Sequence, residues 1–172
     1  STDIEGQMER LYQGVIKGWN GKWFTRGYHE NGTPVGGKDR IFLLPQAWFT
    51  ISGMGERDPE KAKLALDQMV ERLRNDHGLL ICDPGWNQYD PISGNISALA
   101  PGLAENFAIY NHASAFGIYA LLTAGRFDEA REFIKKILPI YKDVAVTRSE
   151  PYVLVNYYNG GYYSYKAGEG GL

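Results

Sequence analysis

The feature that most constrains this fold is the alternation of two apolar patterns along the chain. The stretches 45–54 and 105–124 are apolar almost all round, which is typical of helices covered on every side. Each is followed by a stretch that is apolar on one side only, 58–76 and 127–138, which is typical of helices facing water. Three- and four-residue apolar spacing predicts a further helix over 6–17. The alternation therefore favours a mainly α fold with inner and outer helices.

Three irregular stretches separate these helices. Residues 23–37 contain β-prone aromatics and an Asn31-Gly32 turn, and 150–165 is also β-prone, so we expect short β excursions there. Residues 78–104 are rich in Gly, Pro and Asn and are expected to form a long loop that helps to build a site. A plain helical bundle would show the same periodicity and stays the alternative.

Composition excludes several classes of function. Cys82 is the only cysteine and the His residues number 3, so a disulfide framework and a cysteine zinc site are excluded, and no metal site is predicted. Lys and Arg are scattered and the formal net charge is -2, which argues against a nucleic-acid partner. No stretch approaches the ~20 apolar residues of a membrane span. The N-terminus lacks a signal pattern, which favours the cytoplasm.

The aromatic residues point to carbohydrate. The chain has 12 Tyr and 4 Trp, and several of them, including Trp86, lie in Gly-, Asn- and Pro-rich stretches. Aromatic faces beside amides and carboxylates suit sugars, whose C–H faces stack while their hydroxyls hydrogen-bond. The alternative is that these side chains close the core beneath loops.

Glu105 and His112 form a candidate pair. Glu105 follows a Gly/Pro loop and is expected to open the inner helix 105–124, with His112 about two turns later on the same face. The imidazole could hold an anion if protonated, or donate to one if neutral. The alternative is a core His bonded to a backbone carbonyl, with Glu105 a helix N-terminal acid that the dipole favours.

Four segments spread across nearly the whole chain carry a resemblance. They are Trp23 to Tyr28, Pro45 to Gly53, Pro101 to Ala113 and Glu150 to Val153. Their order and spacing resemble the inverting glycoside phosphorylases of the cellobiose, cellobionic acid and cellodextrin phosphorylase family. The resemblance implies that residues 1–172 are a single domain, the C-terminal portion of an (α/α)6 toroid of helical hairpins with short β excursions.

The resemblance also implies a reaction. A β-glucoside such as cellobiose is cleaved with inversion by inorganic phosphate, the co-substrate, to α-glucose 1-phosphate, and no other cofactor is implied. His112 and Asn156, which stands where the family has Gln, would contact phosphate. We predict substrate-binding roles for four further residues, namely Glu105, Arg26, Gln46 and Trp86.

Three departures from the family matter. The family's catalytic Asp lies in a Trp-Asn-Asp segment, whereas this chain has Trp19-Asn20-Gly21, so the general acid is expected upstream and no catalytic residue within the chain. A terminal Trp-x-Thr-Gly-Thr phosphate-binding segment is likewise expected outside it. The family's acceptor-binding Lys is Ala104 here, which leaves glucose, gluconate and longer glucans open as acceptors.

Two other functions stay open. An inverting toroid hydrolase would need two carboxylates about 6.5–9.5 Å apart, and no spacing among Asp83, Asp90 and Glu105 identifies such a pair. A non-catalytic carbohydrate-binding helical module is the third reading. The expected partners are a β-linked gluco-oligosaccharide, phosphate and the remainder of the polypeptide, with a homodimer left open.

Overall fold

A computed structural model, which describes residues 3–163 and 166–171, is mainly helical with short strands, as predicted. The longer helices are α1 (Ile4–Ile16), α2 (Leu43–Ile51), α4 (Pro59–Leu73), α6 (Asn111–Thr123) and α7 (Phe127–Ile137). The shorter ones are α3 (Met54–Arg57), α5 (Asn95–Ala98), α8 (Val144–Thr147) and a 3-10 turn at Pro139–Tyr141. In the described part of the chain, no helix is long and apolar enough to span a membrane.

The strands have two residues each and all pair antiparallel. β1 (Ile41–Phe42) pairs with β4 (Cys82–Asp83), and β2 (Arg74–Asn75) pairs with β3 (Gly78–Leu79). β6 (Tyr157–Tyr158) lies between β5 (Ile109–Tyr110) and β7 (Gly170–Gly171). Isolated bridges join Trp19 to Phe24 and Tyr28 to Pro34 in the excursion before α2. The short β excursions are thus confirmed, although residues 164 and 165 of the β-prone 150–165 stretch lie outside the described residues.

The core lies where α2 and α6 pack together, with α4 against α2 and α7 against α6. Fully buried side chains include Leu43, Met69, Leu121 and Phe133. Burying each such side chain stabilises the fold by about 1.5–3 kcal/mol. Gly117 allows α6 to approach β3, since a Cβ atom there would lie 2.9 Å from Leu79 Cδ1. This packing fixes α2 and α6, whose N-terminal ends carry the site described below.

The start of α4 follows from its sequence. The Asp58 side chain accepts a hydrogen bond from the Lys61 amide, and Pro59 occupies the first helical position. The predicted cap is therefore confirmed.

The start of α6 differs from the prediction. The helix begins at Asn111, not at 105, because Ile109 and Tyr110 pair with β6. Before them, Ala104 and Phe107 adopt positive φ values of 45° and 64°, which no helix accommodates. The expectation that Glu105 opens this helix, with His112 two turns later on the same face, is therefore wrong.

The apolar surfaces are less covered than predicted. Trp48 on α2 is 45% exposed and Tyr119 on α6 is 55% exposed, so the described residues do not cover the inner helices on every side. α2 also ends at Ile51, earlier than the predicted 54, and Gly53 then adopts a φ of 78°. No residue of α1 is buried by the rest of the described chain.

Candidate functional site

A cavity of about 460 Å³ opens beside the N-terminal ends of α2 and α6. Three of the predicted site residues, Arg26, Glu105 and His112, line it together. Trp48 and Tyr110 contribute aromatic walls to the same cavity. The fold therefore brings a guanidinium, a carboxylate and an imidazole to one aromatic-lined space, although Arg26 is far from the other two residues in sequence.

Four rings form a continuous row beside this cavity, which we call the aromatic row: Trp48, Phe116, His112 and Tyr110. The Phe116 ring lies 5.0 Å from both the Trp48 and the His112 rings, centroid to centroid. The His112 ring lies 6.5 Å from that of Tyr110. His112 is itself exposed, so the row orients the imidazole without enclosing it.

His112 is the second residue of α6. Tyr110, at the N-cap, provides no side-chain hydrogen bond to the amides of the first turn within the described chain. The positive end of the helix dipole and these amides favour an anion at such a position. The position of His112, exposed in the first turn of α6, is therefore favourable for an anion nearby.

Asn156 lies beside the first residue of α6, where strand β6 pairs with β5. Its carbonyl accepts a hydrogen bond from the Asn111 amide at 3.0 Å, and its own amide donates to the Gly171 carbonyl at 3.0 Å. Asn156 is thus held opposite the residue that precedes His112, and it is exposed. Its side chain is not among the described residues that line the cavity.

Glu105 and Arg26 are both exposed side chains on irregular backbone. Glu105 lies in the turn before β5, and Arg26 follows the Phe24 bridge with its guanidinium 5.2 Å from the centre of the Phe42 ring. A carboxylate that accepts and a guanidinium that donates are the complementary partners that sugar hydroxyls need. Together with Trp48 they can hold one sugar unit by hydrogen bonds and stacking.

Gln46 is fully buried and lies away from the cavity lining. Its Oε1 accepts from the Phe24 amide, and its Nε2 donates to the Phe24 and Phe42 carbonyls, each at 2.8 Å. Both amide hydrogens are thereby used. Gln46 therefore fixes the backbone of the segment that carries Arg26, and it does not line the cavity where we expected it.

Trp86 is also in the core, at 5% exposure. The Arg40 guanidinium lies 3.8 Å from its ring centre, and the Phe42 ring packs at 5.9 Å. The sequence left two roles open for the aromatic residues, sugar stacking and closing the core beneath loops. Trp86 has the second role. Among the described residues, its ring does not line the cavity.

The other carboxylates named for a hydrolase are held elsewhere. Asp83 accepts from Arg72 at 2.8 Å, and hydrogen bonds from Ser93 and the Ile92 amide lower the pKa of Asp90. Neither lines the cavity with Glu105 in the described chain. In residues 3–163 and 166–171, no group of three or more His, Cys, Asp or Glu side chains could hold a metal ion.

Sequence reasoning did not single out Trp48 or Tyr110 as site residues. Trp48 is part of the Pro45 to Gly53 segment, but its all-round apolar setting predicts burial. A second cavity of about 810 Å³, between α1 and α2, shares Arg26, Pro45 and Trp48 with the first. The exposed indole thus lines two neighbouring cavities, which no periodicity reveals.

Comparison with known proteins places the chain in a family. Residues 4–171 match the family described as the glycosyl hydrolase 94 superfamily, catalytic domain. The chain is 34% identical over 152 residues to a solabiose phosphorylase of Paenibacillus borealis and 33% identical over 149 residues to a cellobionic acid phosphorylase of Neurospora crassa. A 3-O-beta-D-glucopyranosyl-beta-D-glucuronide phosphorylase of Paenibacillus borealis is 33% identical over 153 residues. Each match covers 83% of this chain but 19% of the relative, so the chain spans about a fifth of their length.

Proposed function

The chain belongs to the glycosyl hydrolase 94 superfamily, and we propose that the whole protein is a glycoside phosphorylase that cleaves a β-glucoside with inorganic phosphate. The products are α-glucose 1-phosphate, formed with inversion, and the released acceptor. Support comes from the three relatives, all of which are named as phosphorylases. The observation that carries the proposal is the meeting of Arg26, Glu105 and His112 in one aromatic-lined cavity.

The residues divide into two roles in this proposal. Arg26, Glu105 and Trp48 bind the sugar, while His112 and the first turn of α6, with Asn156 nearby, receive phosphate. A phosphate oxygen forms a bond to the anomeric carbon as the glycosidic bond breaks. The electron pair leaves with the glycosidic oxygen, which takes its proton from a general acid. Because phosphate is already anionic, no second carboxylate is needed to activate it.

The general acid is proposed to come from another part of the polypeptide. Trp19-Asn20-Gly21 has glycine where the related segment has its acid, and the chain covers a fifth of its relatives. We also propose that α2 and α6 are inner helices and α4 and α7 outer helices of an (α/α)6 toroid. The exposed Leu122 side chain on α6 supports further helices packing there in the whole protein.

The acceptor is a separate question. The relatives are named for solabiose, for cellobionic acid and for a glucosyl glucuronide, so acceptors in this group differ in charge. Ala104 removes a lysine that the resemblance associates with a glucose acceptor. We therefore propose a β-glucoside as the donor and leave the acceptor open between neutral and acidic sugars, both of which the following experiment tests.

The experiment is a phosphorolysis assay on the purified full-length protein. Cellobiose, longer cello-oligosaccharides and cellobionic acid are each incubated with and without phosphate, and products are identified by nuclear magnetic resonance. We expect the α anomer of glucose 1-phosphate only when phosphate is present. Glucose release at the same rate without phosphate would establish a hydrolase instead. Oligosaccharide binding with no product in either condition would establish a binding module.

A further inference from the structure

We infer that Asn106 is a positioning residue for Glu105, and that it governs glucoside binding by fixing the turn that carries this carboxylate. The inference rests on the sugar-binding role of Glu105 in the proposed function. Asn106 is fully buried, whereas Glu105 beside it is exposed in the cavity. A buried amide next to an exposed carboxylate can act on ligand binding only through the backbone that joins them.

The Asn106 side chain uses its hydrogen-bonding groups on the neighbouring loop. Its Oδ1 accepts from the Trp86 amide at 2.7 Å, and its Nδ2 donates to the Trp86 carbonyl at 2.8 Å and the Leu99 carbonyl at 2.7 Å. These three bonds join the Glu105 turn to two points of the long loop. Since each is buried or partly buried, losing one leaves a polar backbone group without its partner.

The backbone of Asn106 closes the turn as well. Its amide donates to the Leu103 carbonyl at 2.9 Å, and its carbonyl accepts from the Gly102 amide at 2.7 Å. Asn106 is therefore bonded through its main chain to Gly102 and Leu103 and through its side chain to Trp86 and Leu99, earlier in the long loop. A shift of the Glu105 backbone would therefore strain both sets of Asn106 bonds.

Phe107 limits the turn from the other direction. A Cβ atom at Gly160 would lie 1.8 Å from the Phe107 carbonyl oxygen, and one at Gly85 would lie 2.8 Å from Phe107 Cβ. The Phe107 ring also meets the Tyr162 ring edge-on at 4.7 Å. The turn is thus packed between two glycines, which leaves little room for relaxation.

Glu105 depends on this framework because nothing else restrains its carboxylate. Among the described residues, no hydrogen bond or ion pair is made by the Glu105 side chain, and its carbonyl contacts Cys82 Sγ at 3.9 Å. The place from which this carboxylate reaches the cavity is therefore set by the backbone of the turn. Pre-organised binding groups lower the cost of ordering on ligand binding, so loosening the turn weakens glucoside binding specifically.

The test is a double-mutant cycle on the full-length protein with Asn106→Asp, Glu105→Gln and the double variant. Asn106→Asp keeps the size of the side chain but removes both donors to the Trp86 and Leu99 carbonyls. Glucoside Kd is measured by calorimetry, and KM for glucoside and for phosphate by initial rates. Asn106→Ser enters the same cycle in case the aspartate variant does not fold.

We expect Asn106→Asp to weaken glucoside binding about tenfold while changing the phosphate KM by less than about twofold. In the Glu105→Gln background, the same change should alter glucoside Kd by less than about twofold, because the two residues act as one unit. Ser97→Ala is the matched control. Ser97 is 3% exposed and bonds the Asp90 and Gly94 carbonyls, so its loss should lower thermal stability without separating the two substrates.

Full additivity of the Asn106 and Glu105 changes would overturn the inference, as would an equal rise in both KM values. Either result would make Asn106 a purely structural residue. The calorimetric cycle is independent of turnover. A wild-type protein that binds glucoside but shows no phosphorolysis would contradict the proposed function while the cycle still decides the role of Asn106. A wild-type protein without glucoside binding would contradict both.

Discussion

The imidazole of His112 meets the ring of Phe116 edge-on, with 5.0 Å between the ring centroids and 73° between the ring planes. Phe116 lies one helical turn further along α6, so the contact is built into the helix. The Tyr110 ring approaches the imidazole from the preceding strand at 72°. The orientation of this exposed histidine is therefore set by its aromatic neighbours.

Replacing His112 should impair the use of phosphate. Loss of a hydrogen bond to a charged group costs about 1.5–3 kcal/mol, so His112→Ala should lower the efficiency with phosphate about tenfold to hundredfold. Glucoside binding should change far less. Initial rates of the full-length protein at varied phosphate measure this, with Asn156→Ala expected to act more weakly in the same direction. A normally folded His112→Ala protein that retains its phosphate KM would make His112 a structural residue.

Removing the aromatic neighbour should have a smaller effect of the same kind. Edge-to-face contacts contribute about 0.5–1.5 kcal/mol, so Phe116→Leu should raise the phosphate KM roughly two- to tenfold by freeing the imidazole. Tyr119→Leu, an exposed aromatic on the same helix, is the control and should leave this KM unchanged. Equal effects of the two variants would show that the row does not orient His112.

Gln46 should contribute to the stability of the fold rather than directly to substrate binding. Gln46→Ala leaves the Phe24 amide and the Phe24 and Phe42 carbonyls without their buried partner. We expect the free energy of unfolding to fall by about 2–4 kcal/mol. Urea denaturation followed by tryptophan fluorescence measures this, with the exposed Gln88→Ala as control. If Gln46→Ala instead left stability unchanged and impaired glucoside binding, the original substrate-binding prediction would be right.

Cys82 should make stability fall at alkaline pH. Burial raises the pKa of its thiol from 9.0 to about 11, so the unfolded chain loses this proton first as pH rises. The neutral, buried thiol contributes roughly 2–3 kcal/mol to the free energy of unfolding. This contribution is fully present below pH 9 and is lost as the pH rises towards 11. Burial lowers the pKa of Lys142 to about 8, so the folded chain loses this proton before the unfolded chain does. This makes stability rise with pH over an overlapping range.

The Cys82 contribution is isolated by comparing wild type with Cys82→Ala. Chemical denaturation at several values between pH 8 and 11 should show a steeper decline for wild type than for the variant. Lys142 is present in both proteins and cancels in the difference. Parallel curves would mean that the thiol is not deprotonated on unfolding in this range.

Residues 1–172 by themselves should show no phosphorolysis. General acid catalysis typically contributes about 10²–10⁴-fold, and the proposed acid lies outside this chain. The measurement is glucose 1-phosphate formation by the 172-residue polypeptide, beside the full-length protein at equal concentration. Turnover by the shorter polypeptide would show that the acid is among these residues.

Local signals predicted α4 well, because everything that starts this helix lies within it. Asp58 caps, Pro59 occupies the first turn, and the apolar stripe through Leu66, Met69 and Leu73 decides which face is buried. The predicted and observed starts agree at Asp58–Pro59, while the predicted end at 76 overran Leu73. Arg74 and Asn75 pair in β2 instead. The end depended on a partner strand that periodicity does not show.

Residues 105–110 show the same limit more strongly. Their apolar pattern continues that of α6, but their backbone is decided by Asn106 on Trp86 and by β5 on β6. These contacts join positions far apart in sequence, so no local pattern encodes them. Arg26, Glu105 and His112, which the sequence suggests as candidate site residues, nevertheless line one cavity. Their chemistry and their segments can be recognised without the exact backbone.

Helix α1 has a practical consequence for anyone handling this polypeptide. Ile4, Met8 and Leu11 are each more than 60% exposed, at 62%, 62% and 64%. Tyr12 and Ile16 pack against the small buried cluster around Phe24 and Phe49, and the Arg57 guanidinium lies over the Tyr12 ring and pairs with Glu9. A helix of 13 residues with so little packing is marginal in water. Proteases should therefore trim this end first, and slow amide exchange along it would be a direct signal that something has covered it.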